Sequence, residues 1–188
     1  MQQRNIILAS RSPRRVELLA QLGVQCEIAP ADIDESSVPG EDPAHYVLRL
    51  AQEKALAVAA THGERGLAIL AADTTVALGR DILGKPADAR EAMAMLSRLS
   101  GSIHMVHTAV AVYQAGQLRY LLNSTKVEMM QIPVTVLEAY VASGEPMDKA
   151  GAYGIQGRAG AWIARIDGSY SGVMGLPLHE TAQLLHAW

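Results

Sequence analysis

The hydrophobic pattern opens with a short apolar block from Asn5 to Ala9, read as a strand, and Ser12-Pro13 then supplies an N-cap with proline at the first helical position. Val16, Leu19 and Leu22 continue that helix to Gly23. Residues 25 to 41 alternate apolar and acidic positions and end in Pro39-Gly40, which predicts a strand running into an exposed loop. Asp42-Pro43 starts a second helix whose apolar stripe includes Val47, Leu50, Ala51, Ala55 and Val58, with His62-Gly63 as its end. Leu67 to Leu78 is a nearly continuous apolar run, the pattern of a buried strand. A turn at Gly79-Arg80-Asp81 leads to a returning segment, Ile82 to Lys85, stopped by Pro86.

Asp88 with Glu91 forms a capping box for a helix ending at Gly101, and Thr135 with Glu138 repeats the pattern for a helix through Ala142. Between them, Ile103 to Tyr113 and Leu118 to Val127 predict a second hairpin about Ala115-Gly116. A glycine-rich stretch from Gly151 to Gly160 precedes a strand near Trp162 to Ile166, and Pro177 opens a terminal helix carrying Leu178 and Leu185. Helices interleave with strands, yet two strand pairs read as hairpins. The expected fold is therefore α/β with a mixed sheet flanked by helices, not a wholly parallel one. Neither a repeat nor a linker divides the 188 residues, so one domain over residues 1 to 188 is expected.

Composition narrows the function classes. With 49% hydrophobic and 19% charged residues the chain has the material for a sizeable core. Sixteen Lys and Arg stand against nineteen Asp and Glu, a net charge of −3, which does not suit a nucleic-acid backbone binder. Any anion site must be local. Phe is absent, and six Tyr and two Trp leave few stacking platforms for single strands. The lone Cys26 excludes an intrachain disulfide and fits a reducing compartment, with a small buried hydrophobe as its simplest role. The apolar run Ile6 to Ala9 is too short for a leader, and no stretch approaches the roughly 18 apolar residues of a membrane span. A cytoplasmic protein is the expectation.

Five places could carry chemistry. Ser10-Arg11-Ser12-Pro13-Arg14-Arg15 lies where a strand turns into a helix; two arginines in a first turn oppose the helix dipole unless an anion binds there. They could instead be solvated or paired with carboxylates such as Glu17. Lys54 stands four after Leu50 and four before Val58, so it lies on an apolar stripe, either snorkelling or facing a cleft. Asp73 interrupts the buried strand pattern, and an ionised carboxylate there costs several kcal/mol, roughly, unless it is paired. A three-residue turn at Gly79-Arg80-Asp81 would set Lys85 diagonal to Asp73 on the same face, whereas a two-residue turn would separate them. The acidic loop Asp32, Asp34 and Glu35 offers oxygen ligands suited to Mg²⁺ or Mn²⁺, or is simply solvated. Finally, Lys149 to Gly157 sets Gln156, both donor and acceptor, among glycines that allow close approach to a flat ligand. The six histidines show no ligand pattern, His104 and His107 being on opposite faces of a strand.

Taken together, Leu8-Ala9-Ser10-Arg11-Ser12-Pro13-Arg14-Arg15, Ala72-Asp73-Thr74, Gly84-Lys85-Pro86, the Lys149 to Gly157 string, and Gly168-Ser169-Tyr170 with Val173-Met174-Gly175-Leu176-Pro177 resemble the Maf family of nucleoside triphosphate pyrophosphatases. The resemblance runs over nearly the whole chain. It implies hydrolysis of a nucleoside triphosphate to the monophosphate and pyrophosphate, a divalent metal, and two lobes around a deep cleft, similar to inosine triphosphate pyrophosphatase. By position, it implies Asp73 as proton acceptor, Glu35 with Asp73 at the metal, and Ser10, Arg15, Lys54 and Lys85 as substrate-binding residues. Arg14, Thr74 and Gln156 match the branch acting on dTTP and UTP; the branch acting on 7-methyl-GTP typically has Gln after the catalytic Asp. A nucleotide-binding regulator of septum formation is the non-enzymatic alternative, and a homodimer is left open.

Overall fold

A computed structural model describes residues 4–186 of the chain. Its elements are β1 (Arg4–Leu8), α1 (Pro13–Gln21), β2 (Val24–Ile28), α2 (Pro43–His62), β3 (Ala68–Leu78), β4 (Asp81–Leu83), α3 (Ala89–Leu99), β5 (Ile103–Gln114), β6 (Gln117–Met129), α4 (Val134–Ala142), β7 (Ile163–Asp167), α5 (Tyr170–Met174) and α6 (Leu178–His186). The seven strands form one mixed sheet in the order β2-β1-β3-β5-β6-β7, with β4 on the far half of β3. The pairs β1–β2 and β1–β3 are parallel; β3–β4, β3–β5, β5–β6 and β6–β7 are antiparallel. This is the mixed sheet that the two hairpin signals predict.

Start signals act as local chemistry requires. Asp42 caps α2 by accepting from the Ala44 N–H at 2.9 Å, and Asp88 caps α3 by accepting from the Glu91 N–H at 2.8 Å. Glu91 reaches back to the Ala87 N–H at 2.6 Å, one residue short of a reciprocal box. The expected Thr135–Glu138 cap is not formed: α4 starts at Val134, Pro133 holds the N-cap position, and no side chain caps it. Proline's fixed φ already sets the chain entering that turn, so the hydroxyl is not needed there. At the β5–β6 hairpin, Gln114 pairs with Gln117, and Ala115 and Gly116 both take positive φ, 49° and 79°, the signature of a type I′ turn. Sequence pattern does not predict α5, a single turn capped by Ser169, which accepts from the Gly172 N–H at 3.0 Å.

Two packed regions share the long strands. On the near half, Ile69, Ala71, Ala109 and Ala111 face Val47, Ala51 and Ala55 of α2, while Leu70, Ala72, Val110 and Val112 meet Leu18 and Leu19 of α1 and Leu184 and Leu185 of α6. On the far half, Val76 and Val106 pack with Leu96 and Leu99 of α3, Leu137 and Tyr140 of α4, and Tyr153. Successive strand residues point to opposite faces, so β3 and β5 feed both sides. The sheet is interrupted where the regions meet. β1 pairs with β3 only as far as Leu70, β4 begins at Val76, and between them β3 has β5 on one side alone.

Candidate active site

That interruption leaves Asp73 and Thr74 at an open edge of the sheet. A cleft of about 1000 Å³ reaches it, lined by the β1–α1 turn, the loop after β2, the Gly84-Lys85 segment after β4, the glycine-rich stretch and the end of α5. Ser10, Arg14, Arg15, Glu35, Lys54, Asp73, Thr74, Lys85 and Gln156 all line it. Residues singled out in six separate segments thus converge on one space.

The centre of the cleft is an ion cluster. Lys54 reaches from the buried stripe of α2, and its Nζ lies 2.7 Å from Asp73 Oδ1 and 2.8 Å from Glu35 Oε1. Lys54 and Asp73 are 8% and 7% exposed, so Lys54 does not snorkel to water. Asp73 Oδ2 makes no hydrogen bond among the described residues. Burial pushes the Asp73 carboxyl above its ordinary value, with Lys54 and Arg15 pulling the other way and Glu35 adding to the rise. Its partner is not Lys85. The hairpin turn is the two-residue Gly79-Arg80, setting Leu78 opposite Asp81 and Val76 opposite Leu83, and this register excludes the Asp73–Lys85 diagonal. Lys85 is exposed on the cleft wall without an ion pair among the described residues.

Arg15 is a cation held by neutral oxygens. Its Nε donates to the Gly175 carbonyl at 2.8 Å, one terminal nitrogen to Ser10 Oγ at 3.1 Å and the other to Thr74 Oγ1 at 3.4 Å. Burial lowers its pKa from the ordinary arginine value and the Asp73 charge raises it. No carboxylate contacts the guanidinium among the described residues, so it stands ready for an anion. Arg14 differs: it pairs with Asp148 at 3.4 Å, not with Glu17. Asp148 also holds Lys149 at 2.5 Å, and Lys149 donates to the Glu145 carbonyl at 2.6 Å, giving the mouth of the cleft a run of alternating charge. Gln156 is exposed on the same wall.

Of the acidic loop, only Glu35 reaches the cleft. Asp34 instead accepts from the Ser36 N–H at 2.9 Å in a local turn, and Asp32 does not line the space. Tyr46 holds the loop by donating to the Glu35 carbonyl at 2.8 Å. The sequence reading misses Tyr46, Glu145 and Asp148, and nothing in their local pattern sets them apart. It also treats His104 as an ordinary packing or surface residue. His104 is buried, meets the Tyr153 hydroxyl through Nε2 at 2.7 Å and has no partner at Nδ1.

Comparison with known proteins adds a second line of observation. The chain is 55% identical over 180 residues to a protein named dTTP/UTP pyrophosphatase from Methylobacillus flagellatus, covering 96% of this chain and 90% of that one. It is 54% identical over 189 residues to one of the same name from Cupriavidus metallidurans, covering 96% and 94%. With the Hahella chejuensis protein of that name it shares 51% over 183 residues, covering 97% and 91%. Among solved structures, the Staphylococcus aureus Ham1 protein aligns over 67% of this chain and 72% of that chain at 9% identity, with a TM-score of 0.43. A family model described as Maf-like protein matches residues 5–188, and with relatives this similar over nearly their whole length the chain belongs to the Maf-like family.

Proposed function

We propose that the protein hydrolyses dTTP and UTP to the nucleoside monophosphate and pyrophosphate. The observation that carries this reading is the buried Asp73 carboxylate, paired on one oxygen by Lys54 and open on the other, beside an Arg15 guanidinium that has only neutral partners. The dTTP/UTP pyrophosphatase name borne by relatives at 51–55% identity supports the substrate class.

In the mechanism, Asp73 Oδ2 accepts a proton from water as the water oxygen bonds to the α-phosphorus. The raised basicity of this carboxylate favours that transfer. The bond from the α-phosphorus to the bridging oxygen then breaks, and pyrophosphate leaves with the electron pair. Arg15, Lys54 and Lys85 approach from three segments and offset the charge that gathers on the departing group. Ser10 holds Arg15 in place, and Arg14, Thr74 and Gln156 are left to read the nucleoside.

The donor set also suits a divalent cation. Glu35 and Asp73 converge on one point, the Lys54 ammonium, and no group of three or more His, Cys, Asp or Glu residues lies together among the described residues. Two carboxylates completed by substrate phosphates are what Mg²⁺ and Mn²⁺ commonly accept. When bound, such an ion supplies charge neutralisation at the phosphates. No helix among the described residues is long and apolar enough to cross a membrane; a cytoplasmic location, where nucleoside triphosphates are abundant, belongs to the same proposed reading.

The test is pyrophosphate release from dTTP, UTP, CTP, the purine triphosphates and 7-methyl-GTP with Mg²⁺ or Mn²⁺. Efficient and similar turnover of dTTP and UTP, with CTP lower by roughly 10²-fold, is the expected result. Preferred turnover of 7-methyl-GTP would overturn the substrate assignment, and no pyrophosphate from any nucleotide would overturn the reaction.

A further inference from the structure

Gln156 is exposed on the cleft wall and its amide has no hydrogen-bond partner among the described residues. Its direction is therefore set by the backbone that carries it. The Gly157 N–H donates to the Gly154 carbonyl at 3.0 Å, which makes Gly154 to Gly157 a β-turn with Gln156 at its third position.

Both ends of this turn are held by side chains from the segment that follows α4. At one end the Lys149 stem lies over Gly154, where a Cβ would lie 2.8 Å from Lys149 Cδ and Cε. The Lys149 ammonium in turn donates to the Glu145 carbonyl at 2.6 Å. At the other end Glu145 Oε1 accepts from the Arg158 backbone N–H at 3.1 Å and from the Tyr140 hydroxyl at 3.3 Å. Arg158 opens a short 3₁₀ turn, Arg158–Trp162, and the first N–H groups of such a turn find no acceptor inside it. Gly157 holds the N-cap position and has no side chain to supply one. Nor is there room for one, because a Cβ on Gly157 would fall on Glu145 Oε1. Gly157 vacates the space, and Glu145 fills it with the acceptor that the local backbone lacks.

We infer that Glu145 is a positioning residue that, by taking the Arg158 N–H, holds the Gly154 to Gly157 turn and aims the Gln156 amide at the nucleoside. This inference rests on the reading of Gln156 as a group that meets the base. Glu145 makes no hydrogen bond or ion pair with Arg15, Lys54 or Asp73 among the described residues, so it bears on which nucleoside is taken and not on the chemistry at phosphorus.

Glu145→Ala removes the acceptor but keeps the carbonyl that Lys149 binds, so only the Gly157 end of the turn is released. Glu145→Gln drops the charge and keeps an acceptor oxygen. In variants that melt cooperatively, Glu145→Ala is expected to lower the ratio of kcat/KM for UTP over CTP by about tenfold or more, through KM for UTP and not through kcat. Glu145→Gln is expected to keep the wild-type ratio. Because Glu145 acts through Gln156, adding Glu145→Ala to Gln156→Ala should cost no more of the ratio than Gln156→Ala alone. An unchanged ratio in Glu145→Ala, an equal loss of UTP and CTP turnover, a Glu145→Gln that behaves like the alanine variant, or losses that add in the double variant would overturn the inference. Amide hydrogen exchange read by NMR tests the same contact with no substrate: the Arg158 N–H should exchange about tenfold or more faster in Glu145→Ala than in the wild type or Glu145→Gln. If the alanine variant does not fold, the wild type still decides, since a freely exchanging Arg158 amide there overturns the inference and a protected one supports it. Should the wild-type protein release no pyrophosphate, the reading of function fails, while the Arg158 amide still decides whether Glu145 holds the turn.

Discussion

Asp73 shows how much a single residue discloses and where that disclosure stops. A carboxylate inside the run Leu67 to Leu78 is legible because strand patterns this apolar have no use for a charge. Lys54 is legible for the same reason on its helix. Their pairing is not, because β3 and α2 meet through tertiary packing, of Ile69 and Ala71 against Val47, Ala51 and Ala55. A residue-scale substitution separates the charge from its shape. Asp73→Asn is expected to lower turnover by about 10²-fold or more, the usual loss when a general base is removed. It is also expected to raise the melting temperature at neutral pH. Folding raises the Asp73 pKa from 3.8, so the stability linked to its protonated form is fully present below that unfolded value and is lost as pH rises through the folded value. Ionising Asp73 is therefore less favourable in the fold than in the unfolded chain, a cost at neutral pH that the amide does not carry, and Lys54 keeps Glu35 as a partner. The gain should shrink as melts are repeated toward pH 4. Near-normal turnover would remove Asp73 from the chemistry.

Elements explain why scattered residues meet. The cleft exists because β1 leaves β3 at Leu70 and β4 joins it only at Val76, so the backbone itself provides the notch. Nothing in the sequence pattern announces that gap, since Leu67 to Leu78 reads as one strand and is one strand. The hairpin after it was legible in kind but not in register. A turn one residue shorter than the Gly79-Arg80-Asp81 reading moves every side chain of β4 to the other face, which is why Lys85 has no part in holding Asp73. Facing the notch, the glycine-rich stretch is fastened by its backbone: the Gly151 N–H donates to the Gly84 carbonyl at 3.0 Å, beside Lys85. Gly151 has φ of 68°, and a Cβ there would lie 2.9 Å from three side-chain carbons of Val76, a core residue. Gly151→Ala combines a left-handed backbone with overpacking, and we expect it to cost about 1–3 kcal/mol in denaturant unfolding. Val76→Ala in the same background should recover part of that loss by clearing the contact. No loss in the single variant would mean that the stretch is not fastened there.

At the scale of the whole molecule, the far-half core is tied to the glycine-rich stretch by a buried polar contact as well as by apolar packing, and this contact is expected to respond to acid. The chain's even charge and apolar bias pointed to a well-packed α/β protein with a local anion site, yet a single histidine that matters to the packing carried no mark in the pattern. His104, 1% exposed on β5, bridges to Tyr153 of the glycine-rich stretch at 2.7 Å with the rings edge to face. Desolvation lowers its pKa from 6.5 to about 4, because the charged ring would be sealed among apolar side chains with Nδ1 lacking a partner. For a group whose folded pKa is depressed, the stability it contributes is present above the unfolded value and is lost as pH falls through the folded value. The relevant window is thus pH 6.5 down to about 4. Across it the wild type should lose about 3 kcal/mol relative to His104→Gln, which cannot titrate and retains an amide to meet the Tyr153 hydroxyl. Carboxylates held low in the fold, such as Glu41 at about 2 beside Arg49, lose their contribution at lower pH in both proteins and cancel from the difference. Denaturant unfolding at half-unit steps checks this. A difference that widens steadily from pH 6.5 and levels below pH 4 identifies His104 as the acid-sensitive joint between β5 and the nucleoside side of the cleft. Parallel stability curves for the two proteins across the window would show that the ring does not bear on acid stability.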